Sequence, residues 1–145
     1  MLYLLDTTAV SAIMRENEQV RLRLSGLSVE DRVATCVITE GEIRWGLGRT
    51  ESDAERIALG TKAEKVFAAL RCDVVPTLAA RWYARVKLDL RERNVRAQQQ
   101  GDKFRGLDEN DLWIAATCLA LDASLVTHDK GFKDVPGLRV DDWMT

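Results

Sequence analysis

Short apolar runs separated by longer amphipathic segments set the pattern of this 145-residue chain. The runs at 2–5, 33–37, 72–75, 124–127 and 138–140 are too brief for helices and are typical of strands buried on both faces. The segments between these runs have helical periodicity and begin with residues that cap helices. Helices are predicted from Thr7, over 18–24, from Thr39, over 52–70, over 77–99 and over 108–121.

Strands that alternate with helices predict an α/β fold. Right-handed crossovers then join parallel strands, with helices on both faces of the sheet. The length is that of one ordinary domain, and neither an internal repeat nor a linker is visible. We therefore expect a single domain over residues 1–145, with a central, mostly parallel sheet of four to five strands.

The composition excludes several functional classes. A net charge of −2 does not fit a uniformly basic nucleic-acid-binding domain. Apolar runs of a few residues cannot span a bilayer, and the N-terminus lacks the basic leader of a secretory signal. The three cysteines have no C-x-x-C spacing, which argues against a disulfide framework or a zinc site. We expect a cytoplasmic protein with no membrane partner.

Four acids from distant segments are expected to meet at one edge of the sheet. Asp6 directly follows the first strand, and Asp129 lies two residues past the end of the fourth. Glu42 and Asp111 fall in the first turns of the third and the last predicted helices. Because these helices run antiparallel to the strands, their N-termini lie at the edge where the strands end, which is where such folds bind ligands.

Each of these acids also has a purely structural interpretation, as a helix cap, a first-turn acid or a turn residue. Taken together, however, the four acids indicate a functional site, because two carboxylates about 4 Å apart repel by on the order of 4 kcal/mol at an effective dielectric of 20. Such a cluster either raises its pKa values or holds a cation. Oxygen ligands without His or Cys favour Mg²⁺, for which Mn²⁺ can substitute, and such an ion suits phosphoryl chemistry.

Five sequence blocks carry a family resemblance. They are Tyr3-Leu4-Leu5-Asp6-Thr7-Thr8, Val37-Ile38-Thr39-Glu40-Gly41-Glu42-Ile43-Arg44-Trp45-Gly46, Asp111-Leu112-Trp113-Ile114-Ala115-Ala116, Leu125-Val126-Thr127-His128-Asp129-Lys130-Gly131-Phe132, and Val135-Pro136-Gly137-Leu138-Arg139-Val140 with Trp143. Their order resembles that of the PIN-domain family, specifically the VapC-type toxins of toxin–antitoxin pairs. Thr8 departs from the commoner asparagine of that family.

The resemblance implies a PIN-like domain and a Mg²⁺-dependent endoribonuclease that cuts structured RNA, often transfer RNA or ribosomal RNA. It assigns Asp6, Glu42, Asp111 and Asp129 to a site for one or two metal ions. The family spacing selects Glu42 over Glu40, which is about 200° away around a helix and is expected to be a surface acid. The resemblance also implies a homodimer and a cognate VapB-type antitoxin in a hetero-oligomer.

Basic residues are concentrated between positions 81 and 105, where eight oppose three acids. Arg81, Arg85 and Arg96 fall within about 60° of one another on a helical wheel. They form either an RNA-contacting stripe or an ordinary solvated helix face, and the sequence favours neither.

Three other features are interpreted as structural. His128, the single histidine, is expected to be a turn residue rather than a general base. Glu109 is not favoured as a further acid of the site. The four tryptophans, Trp45 among them, are expected to fill the core or an interface.

Two other functions stay open. A phosphomonoesterase of the haloacid dehalogenase type needs Asp-x-Asp after its first strand, whereas this chain has Asp6-Thr7-Thr8. A non-catalytic domain would use the same acids only for ion-dependent docking.

Overall fold

All five predicted strands form one parallel sheet. The structure, a computed structural model, describes residues 1–145. The strands are β1 (Leu2–Leu5), β2 (Arg32–Cys36), β3 (Arg71–Asp73), β4 (Ser124–Val126) and β5 (Arg139–Asp141). Their order is β3-β2-β1-β4-β5, and Leu4 of the central strand lies opposite Ala34 of β2 and Leu125 of β4. The predicted α/β class with a parallel sheet is confirmed.

Six α-helices and one short 3₁₀ helix surround the sheet. They are α1 (Thr7–Met14), α2 (Glu18–Ser25), α3 (Val37–Gly48), α4 (Asp53–Ala69), α5 (Ala79–Gln99), α6 (Glu109–Ala120) and a 3₁₀ helix over Lys130–Asp134. None of the helices combines the length and the apolar character that crossing a bilayer requires.

Two separate hydrophobic cores lie on the two faces of the sheet. Leu4 and Leu5 are both fully buried, but successive strand residues point to opposite faces, so each belongs to a different core. The core that contains Leu4 takes residues from α5, α6 and the 3₁₀ helix, and the core that contains Leu5 takes residues from α1 to α4. Helices therefore cover both faces, which explains why β1 is apolar throughout.

The structure corrects several element boundaries. Val37 was expected to end a strand, but β2 ends at Cys36 and Val37 begins α3, where its side chain is 40% exposed. As a consequence, Glu42 lies in the second turn of α3 and not in the first. Likewise β3 ends at Asp73, and Val74 is 73% exposed beyond it. An apolar β-branched residue resembles a strand residue even where the chain has already left the sheet.

Leu125→Ala is expected to lower the free energy of unfolding by about 2–5 kcal/mol, because it leaves a cavity at a fully buried position of a central strand. Leu22→Ala makes the same chemical change at a side chain that is 57% exposed, and it should stay within about 0.5 kcal/mol of wild type. Urea unfolding of the two variants checks the assignment of the core. Equal losses would contradict it.

Candidate functional site

Asp6 anchors the site at the carboxyl end of the central strand. Its side chain is only 3% exposed. Oδ1 accepts hydrogen bonds from the Thr8 hydroxyl at 2.7 Å and from the Ala9 N–H at 2.9 Å, so the residue caps α1, and the Thr127 hydroxyl donates to Oδ2. Burial raises the pKa of Asp6, and these hydrogen bonds act in the opposite direction. The cap predicted from sequence is present, and the same hydrogen bonds fix the orientation of the carboxyl at the end of β1.

Glu42 reaches the same edge from α3. The Thr7 hydroxyl donates to Glu42 Oε1 at 3.1 Å, which links the carboxylate to the residue after Asp6. Partial burial raises the pKa of Glu42, and the negative charges of Asp108 and Asp6 raise it further. Glu42 and Asp6 are therefore close enough to repel each other.

Asp111 is the most perturbed acid of the site. It lies in the first turn of α6, as predicted. The pKa of Asp111 is raised to about 7, first by partial burial and then by four negative charges, those of Asp108, Glu42, Asp129 and Asp6. The other three predicted site acids thus lie within electrostatic reach of Asp111.

Asp108 is a functional candidate that sequence reasoning missed. Its Oδ1 does cap α6 by accepting the Asp111 N–H at 2.9 Å. However, among the neighbouring charges, that of Asp108 raises the pKa values of Glu42 and Asp111 the most. Its position three residues before Asp111, at the N-terminus of the same helix, was the signal that could have identified it.

Asp129 completes the acidic edge after β4. Its Oδ1 accepts the Gly131 N–H at 2.8 Å and lies 3.3 Å from Arg105 Nη2. A Cβ atom at position 131 would lie 3.2 Å from this same oxygen and 3.2 Å from Leu107 Cδ2, so glycine allows the turn to close. Arg105 gives Asp129 a positive partner that the other three acids lack.

Two neighbouring acids have other partners. Glu40 pairs with Arg44 at 3.4 Å on the surface of α3, as expected for the acid that the family spacing rejects. The carboxylate of Glu109 is occupied by Lys87, at 2.6 Å, and by the Tyr83 hydroxyl.

His128 does more than form a turn. Its backbone N–H donates to the Thr8 hydroxyl at 2.9 Å, and its Nδ1 lies 2.9 Å from Asp142 Oδ2. The turn that carries it is therefore bound to the residues around Asp6.

The three candidate RNA-contacting arginines are spread along α5. Arg85 lies over the Trp82 ring, and both border Pro136 and Gly137, which precede β5 at the end of the sheet opposite to the acids. Arg96 is 3.9 Å from Glu92 in the last turns of the helix. The three side chains therefore do not converge on the acidic edge.

The donor chemistry of the edge suits a hard dication. It consists of carboxylate and hydroxyl oxygens, without a thiol or an imidazole among the groups around Asp6, which are the ligands that Mg²⁺ and Mn²⁺ prefer. No three acidic, histidine or cysteine side chains converge closely enough to form a preformed metal cage. The acids are thus gathered within electrostatic reach, and ion binding would draw them closer.

Asp111→Asn is expected to stabilise the protein above about pH 8 and to have almost no effect near pH 4. The pKa of this carboxyl is about 7 in the folded protein and about 3.9 when unfolded, so wild type loses stability as the pH rises between these values. The asparagine variant lacks this loss. Its gain should be on the order of 1–2 kcal/mol, because solvent screens the half-buried group.

Urea unfolding across this pH range measures the gain. Asp102→Asn, in the exposed segment after α5, controls for the loss of one negative charge. A gain for Asp111→Asn that does not depend on pH would contradict the raised pKa.

Comparison with known proteins identifies the family. The model of the PIN domain matches residues 3–138. Ribonuclease VapC1 of Haemophilus influenzae is 28% identical over 146 residues, which cover 99% of this chain and 98% of that protein. Ribonuclease VapC5 of Mycobacterium tuberculosis is 33% identical over 112 residues, which cover 75% of this chain and 73% of that protein.

Solved structures agree with this result. VapBC-1 from nontypeable Haemophilus influenzae matches with a TM-score of 0.74 and 25% identity over the full length of both chains. VapBC2 from Rickettsia felis, bound to a DNA fragment from its promoter, has a TM-score of 0.78 at 21% identity and covers 99% of each chain, which supports the fold. The resemblance found in the five sequence blocks is confirmed, and the chain belongs to the PIN-domain family, within its VapC branch.

Proposed function

We propose that the protein is a Mg²⁺-dependent endoribonuclease and the toxin of a VapBC-type toxin–antitoxin pair. It hydrolyses phosphodiester bonds in structured RNA, either transfer RNA or ribosomal RNA. The observation that carries this proposal is the convergence of acids on Asp111, whose pKa is raised to about 7 by partial burial and then by the negative charges of four other acids. The names of the relatives, ribonuclease VapC1 and VapC5, support the same activity.

Asp6, Glu42, Asp111 and Asp129 are the residues that would hold the ion, with Mn²⁺ as a possible substitute for Mg²⁺. A bound dication supplies Lewis-acid activation of water and neutralises charge on the phosphate. The donor set of oxygens is consistent with this assignment.

Threonine hydroxyls orient the acids for this role. Thr8 and Thr127 donate to different oxygens of Asp6, and Thr7 donates to Glu42. Thr127 also accepts the Asp129 N–H at 2.9 Å, so one hydroxyl links two acids of the site. Partners of this kind fix the direction of a ligand's lone pairs. Arg105, beside Asp129, is placed to contact a phosphate that approaches the acids.

The proposed partners follow from the relatives. Two of the solved structures that match along nearly the whole chain are VapBC complexes. We therefore include a cognate VapB-type antitoxin and a toxin–antitoxin hetero-oligomer in the proposal, together with the homodimer that the family resemblance implies. RNA phosphates would contact Arg81, Arg85 and Arg96, which project from the exposed side of α5.

We expect the rate of RNA cleavage to fall more than about 100-fold in Glu42→Gln and in Asp6→Asn, because each change removes a metal ligand. Losing a residue that only hydrogen-bonds to a ligand costs roughly 10–100-fold. Glu40→Gln is the matched control, because it makes the same change two residues away on α3, at a side chain paired with Arg44. It should cleave almost as fast as wild type. Gel analysis of a structured RNA incubated with Mg²⁺, and separately with EDTA, measures the rates.

The same preparations separate the three candidate functions. Cleavage that is lost with Glu42→Gln and kept with Glu40→Gln supports the nuclease. Turnover of a chromogenic phosphate monoester without RNA cleavage supports the phosphatase. The absence of both activities supports the docking domain. Equal losses from the two glutamate variants would contradict the assignment of Glu42.

Replacing Arg81, Arg85 and Arg96 with glutamine is expected to make RNA binding less dependent on salt. Three lost phosphate contacts lower the slope of log affinity against log salt by about 2. A triple glutamine variant at Arg21, Lys62 and Lys65, exposed on α2 and α4, removes the same charge elsewhere. Titration of labelled RNA at several salt concentrations compares the slopes, and identical slopes for both variants would refute a role for α5.

A further inference from the structure

A cavity of about 560 Å³ opens beside Glu42, between α1, α3 and α4. Glu42 and its partner Thr7 line one side, and Asn110, the neighbour of Asp111, lies at the edge. The cavity is therefore continuous with the acidic site. Its volume falls within the roughly 300–1,000 Å³ that is typical of small-ligand sites. The lining combines polar and apolar surface, and 5 of its 14 residues are hydrophobic.

Trp45 lines this cavity and is not part of the core. Its side chain is 68% exposed, whereas Trp143 is 1% exposed. Of the two roles expected for the tryptophans, core or interface, this exposure excludes the core for Trp45. The Arg49 guanidinium lies 5.5 Å from the ring centroid, over the indole. An exposed indole with an arginine above it is a surface on which a flat aromatic ligand can stack.

The arginines of this cavity are free of carboxylate partners. Elsewhere on the same helices, Arg44 pairs with Glu64 at 2.8 Å and Arg56 pairs with Asp53. Arg15 and Arg49 make no ion pair, although both line the cavity. Arg15 also borders the neighbouring cavity formed by Thr8 and His128, so it lies close to the residues that hold Asp6. Two unpaired guanidinium groups beside an acidic site favour an anionic ligand.

We propose that this cavity binds one unstacked nucleotide of the RNA, adjacent to the bond that is cleaved. The base stacks on Trp45, and the neighbouring phosphates bind Arg15 and Arg49. This inference rests on the proposed ribonuclease function. Proteins recognise single-stranded RNA in this way, by stacking splayed bases on aromatic side chains or guanidinium planes. An apolar peptide would leave both guanidinium groups without partners, which favours the nucleotide as occupant.

Trp45→Ala is expected to raise the KM for cleavage of a labelled RNA hairpin about 10-fold with little change in kcat, since base stacking contributes to binding throughout the reaction. Arg49→Gln should also raise KM. Ile57→Ala, at a side chain that is 69% exposed on α4, and Arg21→Gln are matched controls and should match wild type. Trp45→Phe keeps an aromatic surface, so it should recover most of the affinity and shows that the protein folds.

Abasic replacement of the loop nucleotides, one at a time, gives the sharper measurement. One abasic position should raise KM about 10-fold for wild type and have little effect on Trp45→Ala, because the contact is already lost. The inference would be overturned if the abasic position raised KM equally in both proteins, or if the KM of Trp45→Ala equalled that of wild type. In either case, normal cleavage by wild type would leave the proposed function standing. If Trp45→Ala no longer captures the antitoxin but keeps the wild-type KM for RNA, the cavity is a protein-docking surface and the inference is overturned. A wild-type protein that cleaves no RNA with Mg²⁺ refutes both.

Discussion

A buried carboxyl at the end of the central strand is the constraint on which the rest of the structure depends. Burying an unpaired carboxylate costs several kcal/mol, so Asp6, which is 3% exposed, requires donors. Thr8 and Ala9 supply them from the start of α1, and Thr127 supplies one from the end of β4. Satisfying this single group therefore fixes β1, β4 and α1 relative to one another. The sheet order, with β1 between β2 and β4, then brings Glu42 to one side and Asp129 to the other.

The remaining charges of the site are only partly compensated. Helix N-termini carry partial positive charge, which favours Asp6 at the start of α1 and Asp108 and Asp111 at the start of α6. This compensation is incomplete, because the pKa values of Asp6, Glu42 and Asp111 are all raised. Each raised pKa means that the ionised carboxylate is unfavourable in the folded chain, so a bound cation would relieve the repulsion. Ion binding and stability are therefore coupled at this edge of the sheet.

The sequence predicts the strands and the position of the acids because both depend on simple local patterns. Asp6 ends an apolar run, and the end of a parallel strand determines where its side chain lies. Asp108 was missed because a helix cap and an acid of the site require the same residue type at the same position, so the pattern does not distinguish the two roles. The sequence left both a core and an interface position open for Trp45, because hydrophobicity does not show which face of α3 is covered by α4. The start of α3 was missed because Val37 has strand propensity but lies outside the sheet.

Arginines on two sides of the acidic edge explain how a chain with a net charge of −2 can bind a polyanion. Phosphates that approach four carboxylates are repelled, but ionic screening limits this repulsion to about 8–10 Å in physiological salt. Within that range, the local arrangement of charge matters more than the total. Arg105 lies beside Asp129 on one side, and Arg15 and Arg49 line the cavity beside Glu42 on the other. An RNA strand that crosses the site between these cations would hold its central phosphate over the acids, where a dication compensates the remaining repulsion.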